Sequence, residues 1–325
     1  MMMVFDRNKW ISRTGFARAL LFAAVMLSLA LLPGSSLAAT TQRSFPSPEE
    51  AVKSLIEALK ANDVQALQGI FGPDSEELIE SGDPVEDQAR RTHFVKLYEQ
   101  KNSLTQSGAG MEISVGNEDW PFPIPLVQKD GQWRFDTAAG RDEILARRIG
   151  KNEWYAIRFC QAYVDAQREY ASKDRDGDGL LTYALKFGSD QGQHNGLYWK
   201  AKEGEEQSPL GELAAAAQKQ GYGGKGNKPA PFFGYYYRIL TGQGANAPGG
   251  AYDYLVQQKL LGGFALVAYP ADYQSSGVMT FIVNHAGKVY QKDLGEKTEE
   301  TAQAITVFDP DSSWQKVEGK VTGGE

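Results

Sequence analysis

A chain of 325 residues sets 34 Lys and Arg against 41 Asp and Glu, a net charge of −7, which leaves no electrostatic footprint for nucleic acid. Its lone cysteine, Cys160, excludes an intrachain disulfide. The first elements concern compartment. Arg7, Lys9, Arg13 and Arg18 precede the apolar run LLFAAVMLSLALL (20–32), and Pro33-Gly34 and SSLAA follow, the order of a secretory signal over residues 1–38. Ser36-Leu37-Ala38 places cleavage after Ala38, so the protein is expected to be periplasmic or secreted. Processing there removes four basic residues and Asp6, taking the net charge from −7 to −10. The alternative is an uncleaved anchor, but the run is shorter than the roughly 20 residues that span a bilayer. No later run is long enough to do so, and no membrane span is expected after cleavage.

The remaining 287 residues suit two ordinary domains. Ser47, Pro48 and Glu50 form a capping box with proline at the first helical position, and Val52, Leu55, Ile56 and Leu59 recur at helical spacing behind them. Asn62-Asp63 opens a second short helix through Ile70, and a third helix is expected over 87–101. MEISVG (111–116), FPIPLVQ (122–128) and KDGQWRFD (129–136), with a tight Asp130-Gly131 turn, then read as a strand meander. Helices first and strands afterwards is an α+β pattern. It resembles the nuclear-transport-factor-like cone over residues 44–140, so 39–140 is expected to form a first domain of that kind.

A long helix is expected over 141–173, with Ala156, Phe159, Cys160, Tyr163, Ala166 and Tyr170 as its apolar stripe and Gly150 as a bend or break near a domain boundary. Cys160 on that stripe reads as buried and inert. The chain beyond has little periodicity up to Pro231. It holds a short alanine-rich helix (211–218) and GYGGKGNKPAP, which lacks the GK[ST] ending of a phosphate-binding loop and reads as a flexible connection. Strands follow at 234–241, 262–270, 277–284 and 288–294, the last two joined by His285-Ala286-Gly287 as an antiparallel hairpin, and then a closing helix (298–307). One long helix on a four-stranded antiparallel sheet resembles the globular part of type IV pilins and pseudopilins. The second domain is therefore placed at 141–318, ahead of a disordered tail at 319–325.

The stretches SFPSPEEAV, DWPFPIPLV, WRFDTAAGRDEIL, RRIGKNE, AYVDAQREYA, DRDGDG, GLYW, PGGAYDY, GGFALVAYPADY, SGVMTFIVN and VYQKDLG resemble a bacterial family of exported proteins, domain of unknown function 2950, over nearly all of residues 44–318. The resemblance implies export and an α+β build; it implies no activity.

The sharpest chemical signal is KDRDGDGLLTYA (173–184). Asp174, Asp176 and Asp178 stand at alternate positions with Gly179 behind them, the spacing by which carboxylates on a turning backbone converge on calcium. The carbonyl of Leu180 and the side chain of Thr182 are the further ligands. Leu185 stands where the bidentate glutamate of such a loop belongs, so the expected site is weak. The other reading is a solvated Asp/Gly turn after a helix. His93, His194 and His285 lack metal spacing, and Ser275-Ser276-Gly277 forms no nucleophile elbow. Asp119, Asp136, Asp253 and Asp272 are candidates for paired carboxylates. Tyr235, Tyr236, Tyr237, Tyr252, Tyr254, Phe264, Tyr269 and Tyr273 crowd the second sheet, either as core or as a face for a protein or glycan partner at the envelope. Trp120, Phe122 and Trp133 either line a pocket in the cone or fill its core. The expected function is an exported binding or structural module of unknown ligand. The competing expectation is a hydrolase working in the N-terminal cone.

Overall fold

In the computed structural model, residues 41–202, 204–214 and 230–318 are described. The expected signal at 1–38, most of the glycine-rich stretch, part of the helix at 211–218 and the tail at 319–325 lie outside them. Helix α1 (Pro48–Ala61) starts where its capping box dictates: the Ser47 hydroxyl accepts from the Glu50 amide at 3.2 Å, and Asn62 ends it in the left-handed region at φ 52°. Helix α2 (Val64–Phe71) is capped by Asp63, which accepts from Ala66 N at 3.0 Å. A short helix α3 (Glu76–Ile79) follows. Helix α4 (Pro84–Gln100) begins three residues before the expected start, because Asp83 caps it by accepting from Val85 N and Glu86 N, with Pro84 at the first position.

Strands β1 (Asn102–Ser107), β2 (Gly110–Val115), β3 (Trp120–Pro121), β4 (Leu126–Lys129) and β5 (Gln132–Phe135) build an antiparallel sheet in the order β1-β2-β4-β5, with β3 also beside β2. Phe45 exchanges two 2.8 Å backbone hydrogen bonds with Trp133, so the segment before α1 extends the β5 edge. Val52, Leu55, Ile56, Leu67, Ile70, Ile113, Ile124, Leu126 and Phe135 form the core between these helices and this sheet.

Helix α5 (Thr137–Tyr170) starts at Thr137 rather than residue 141, since Asp136 accepts from Ala139 N and serves as its cap. It runs through Gly150 without a break, which corrects the expectation of a bend there. Its apolar stripe faces the second sheet. That sheet has the order β14-β13-β12-β11-β6, all antiparallel: β6 (Tyr235–Leu240), β11 (Ala265–Pro270), β12 (Met279–Asn284), β13 (Val289–Asp293) and β14 (Gln315–Lys316). The short β14 is a fifth strand beyond the four read from the sequence. Two small ribbons, β7 (Gly242–Gln243) with β8 (Tyr252–Asp253) and β9 (Leu255–Val256) with β10 (Lys259–Leu260), lie between β6 and β11.

All six residues of β11 are buried, which requires cover on both faces of the sheet. Tyr163, Phe264, Leu266 and Phe281 pack on the α5 side. Tyr254, Val267, Ile282, Phe308 and Ala302, the last from α6 (Thr298–Ala304), pack on the other. Tyr235, Tyr254 and Tyr269 are core residues, Tyr236, Tyr237 and Tyr273 are half-buried, and Tyr252 is exposed. Cys160 is fully buried on α5, and burial pushes its thiol far above the ordinary range. The architecture is α+β, with the described residues of both sheets in one compact unit. Among the described residues no helix is long and apolar enough to cross a membrane.

Candidate functional site

A cavity of about 1010 Å³ opens in the N-terminal half. Its apolar wall is supplied by Phe71 at the end of α2, Phe94 and Leu97 of α4, Trp120 and Phe122 around β3, and Ile144 of α5. Phe122 is the hub of the aromatic part, with ring centroids 5.1 Å from Phe94, 6.4 Å from Phe71 and 6.2 Å from Phe135. Of the three aromatics singled out in the sequence, Trp120 and Phe122 line the cavity. Trp133 is not in the wall; its backbone is tied to Phe45 at the sheet edge. Phe233 closes the wall from the second half, stacked on Tyr155 of α5 at 3.8 Å with 5° between the ring planes.

Charged groups converge on one side of this wall. Glu86 and Asp87 are 2 % and 4 % exposed, although both sit in the first turn of a helix where carboxylates are usually solvated. Glu86 pairs with Lys151 at 2.7 Å. Asp87 accepts from Ser81 N at 2.9 Å and from Ser81 Oγ at 2.8 Å, and pairs with Arg90. Arg148, 4 % exposed, donates through Nη1 to Glu77 O and Ser275 Oγ and through Nη2 to Leu78 O, while its Nε is buried with no hydrogen-bond partner. Burial, and then the nearby Arg90, bring its guanidinium down to about 10. Arg147 lies 4.7 Å over the Trp120 ring and pairs with Glu143.

None of these charged residues stands out in the sequence. Glu86 meets Lys151 of α5, and Asp87 meets Ser81 and Arg90, contacts that the local sequence does not announce. The other residues considered for chemistry are dispersed. Asp119 pairs with Lys101 at 2.7 Å, Asp136 caps α5, Asp253 lies in exposed β8, and the Asp272 amide donates to Ser276 Oγ at 2.9 Å. Burial raises the Asp272 carboxyl. His93 is exposed but lines the cavity, His194 stacks on Trp199 at 4.2 Å, and His285 packs against Tyr254 and Phe264, where burial lowers its imidazole.

The aspartate loop after α5 is built as a hydrogen-bonded turn. Asp174 accepts from the amides of Asp176, Gly177 and Gly179 at 3.2, 2.8 and 2.8 Å, and Asp178 accepts from Leu180 N at 3.1 Å. Gly177 and Gly179 take φ of 71° and 83°, which suits glycine. Asp176 and Asp178 both point a carboxylate oxygen at the Lys259 ammonium of β10, the former at 2.9 Å. Asp178 and then Asp176 raise that ammonium, while Lys259 holds Asp178 low and the Gly179 amide holds Asp174 low. Leu180 is exposed and the Thr182 residue is buried. Among the described residues no group of three or more His, Cys, Asp or Glu is arranged to hold a metal. A calcium ion bound by Asp176 and Asp178 has to displace Lys259. We therefore expect the melting temperature of the parent to be the same in millimolar calcium and in chelator. Lys259→Met, which leaves the carboxylates to repel one another, should gain a calcium-dependent rise that Asp176→Asn in the same background abolishes. A parent that responds to calcium as strongly as Lys259→Met would refute the competition.

Residues 42–317 match the family model described as a protein of unknown function, DUF2950. No curated protein and no solved structure matches the chain.

Proposed function

The chain belongs to the DUF2950 family, whose description names no activity, and we propose from the cavity itself that the protein is an exported, envelope-associated binding module. The observation that carries this reading is the shape and composition of the wall: a large, mostly apolar concavity with Leu, Ile and aromatic side chains beside a cluster of charged groups, as in small-molecule sites. The competing reading, a hydrolase in the same place, has less support. Among the described residues the wall includes no serine, threonine or cysteine to act as a nucleophile, and two of its three carboxylates, Glu86 and Asp87, are engaged by Lys151, Arg90 and Ser81. Export rests on the 1–38 signal pattern, and protein recovered from the envelope should begin at Ala39.

The binding half is tested with a neutral apolar fluorophore, N-phenyl-1-naphthylamine. The parent should bind it saturably. Ala89→Trp, which places an indole on α4 at the cavity wall, should abolish binding while the melt stays cooperative. Absence of saturable binding to the parent, or unchanged binding to a folded Ala89→Trp, would refute the cavity as the site.

A further inference from the structure

We propose that the ligand of this cavity is a single-chain amphiphile with a carboxylate head, received by Arg148, and that its apolar tail lies against Phe71, Phe94, Leu97 and Phe122. The inference rests on the binding reading above and adds the chemical class of the ligand. Arg148 is the cation on the wall whose circumstances call for an anion. Lys151 has Glu86, Arg90 has Asp87 and Arg147 has Glu143, each within ion-pair distance, and Arg91, which reaches the neutral Asn62 Oδ1 and Ile79 O, is only half-buried. The acceptors of Arg148 are two backbone carbonyls and one hydroxyl, all neutral, so among the described residues its charge is buried without a carboxylate in contact. Its Nε–H is buried and unpartnered as well. A buried guanidinium in that state is unfavourable until a negative charge and an acceptor oxygen arrive together.

The wall as a whole supports the same sign. Arg90, Arg91, Arg147, Arg148 and Lys151 outnumber Glu86, Asp87 and Glu118 there, against a chain whose net charge is −7. A local excess of positive charge on an acidic protein concentrates small anions and repels cations. The planar guanidinium suits a planar carboxylate, which can take a charge-assisted hydrogen bond from Nε. Beyond these charges and the polar His93, Gln100 and Asn117, the wall is apolar and aromatic, a surface that a wholly hydrophilic anion does not use. An anion with a hydrocarbon body satisfies both parts of the cavity.

The test is displacement of N-phenyl-1-naphthylamine from the parent by four ligands of equal chain length, each below its micellar concentration: dodecanoate, dodecyl phosphate, dodecanol and dodecyltrimethylammonium. Dodecanoate is expected to compete at a concentration roughly tenfold lower than dodecanol, with the trimethylammonium compound weakest, one charge-assisted hydrogen bond separating head from hydroxyl. Arg148→Gln should bring dodecanoate to the level of dodecanol and leave dodecanol unchanged. Arg148 also holds the carbonyls of Glu77 and Leu78, so its loss threatens folding; the comparison of heads on the parent needs no variant and decides the matter alone. Equal competition by dodecanoate and dodecanol would overturn the inference while leaving the cavity as a binding site. Dodecyl phosphate alone competing would overturn the carboxylate assignment. Failure of the fluorophore itself to bind would remove the cavity reading and this inference together.

Discussion

Replacing Asp83 with alanine is expected to lower the free energy of unfolding by about 3 kcal/mol, measured by urea denaturation. The side chain is 1 % exposed and carries two tasks at once. Oδ1 accepts from Val85 N and Glu86 N, both at 3.2 Å, as the cap of α4. Oδ2 accepts from Gly234 N at 2.9 Å, at the entry to β6 and 151 residues along the chain. Loss of a helix cap costs about 1 kcal/mol, and a buried amide left without an acceptor costs about 1–3 kcal/mol. Asp83→Asn, which keeps a capping oxygen, should cost less than half as much. Phe233, adjacent to Gly234, belongs to the cavity wall, so Asp83→Ala should also weaken fluorophore binding. A stability change under 1 kcal/mol would show that the two halves are held by something else.

The second large effect is a pair of opposite signs from one substitution on one helix. Gly140→Ala should destabilise by about 2 kcal/mol or more, whereas Gly150→Ala should stabilise by about 0.5–1 kcal/mol. Both glycines lie within α5, where alanine is intrinsically the better residue by close to 1 kcal/mol. At Gly150 nothing lies within 4 Å of an added Cβ, so the propensity gain is realised. At Gly140 the added atom would sit 2.6 Å from Pro123 O and 2.7 Å from Ile124 Cγ1. The obstacle includes backbone, which cannot rotate away, so the start of α5 must lift off the first sheet. Ile124 is core and also lines the cavity, so the same lift should loosen the ligand site. Two alanine variants that move stability in the same direction would contradict this packing.

The capping chemistry of Ser47 and Asp63, the apolar stripe of α5, the burial of Cys160, the β12–β13 hairpin and the α+β order are all written in residues within a turn or two of one another. Short-range hydrogen bonding and side-chain periodicity suffice to specify them. The glycines of α5 show where that information stops. Gly150 and Gly140 are alike in local sequence terms, and only the approach of Pro123 and Ile124 distinguishes a tolerant position from an intolerant one. The aspartate loop is similar: alternating carboxylates 174, 176 and 178 ask for a cation, but Lys259, more than 80 residues away, meets two of them. The cavity charges were the least legible. Glu86, Asp87 and Arg148 are ordinary helix-surface residues by composition and spacing, and they are buried in the fold, where the exposed Lys151 meets Glu86 and the Leu78 carbonyl and Ser275 meet Arg148. Local sequence determines which backbone groups are satisfied and which side chains seek an interior. The neutralisation of a charge depends on what stands within a few ångströms of it, and in this protein those partners come from distant segments that only the tertiary structure brings together.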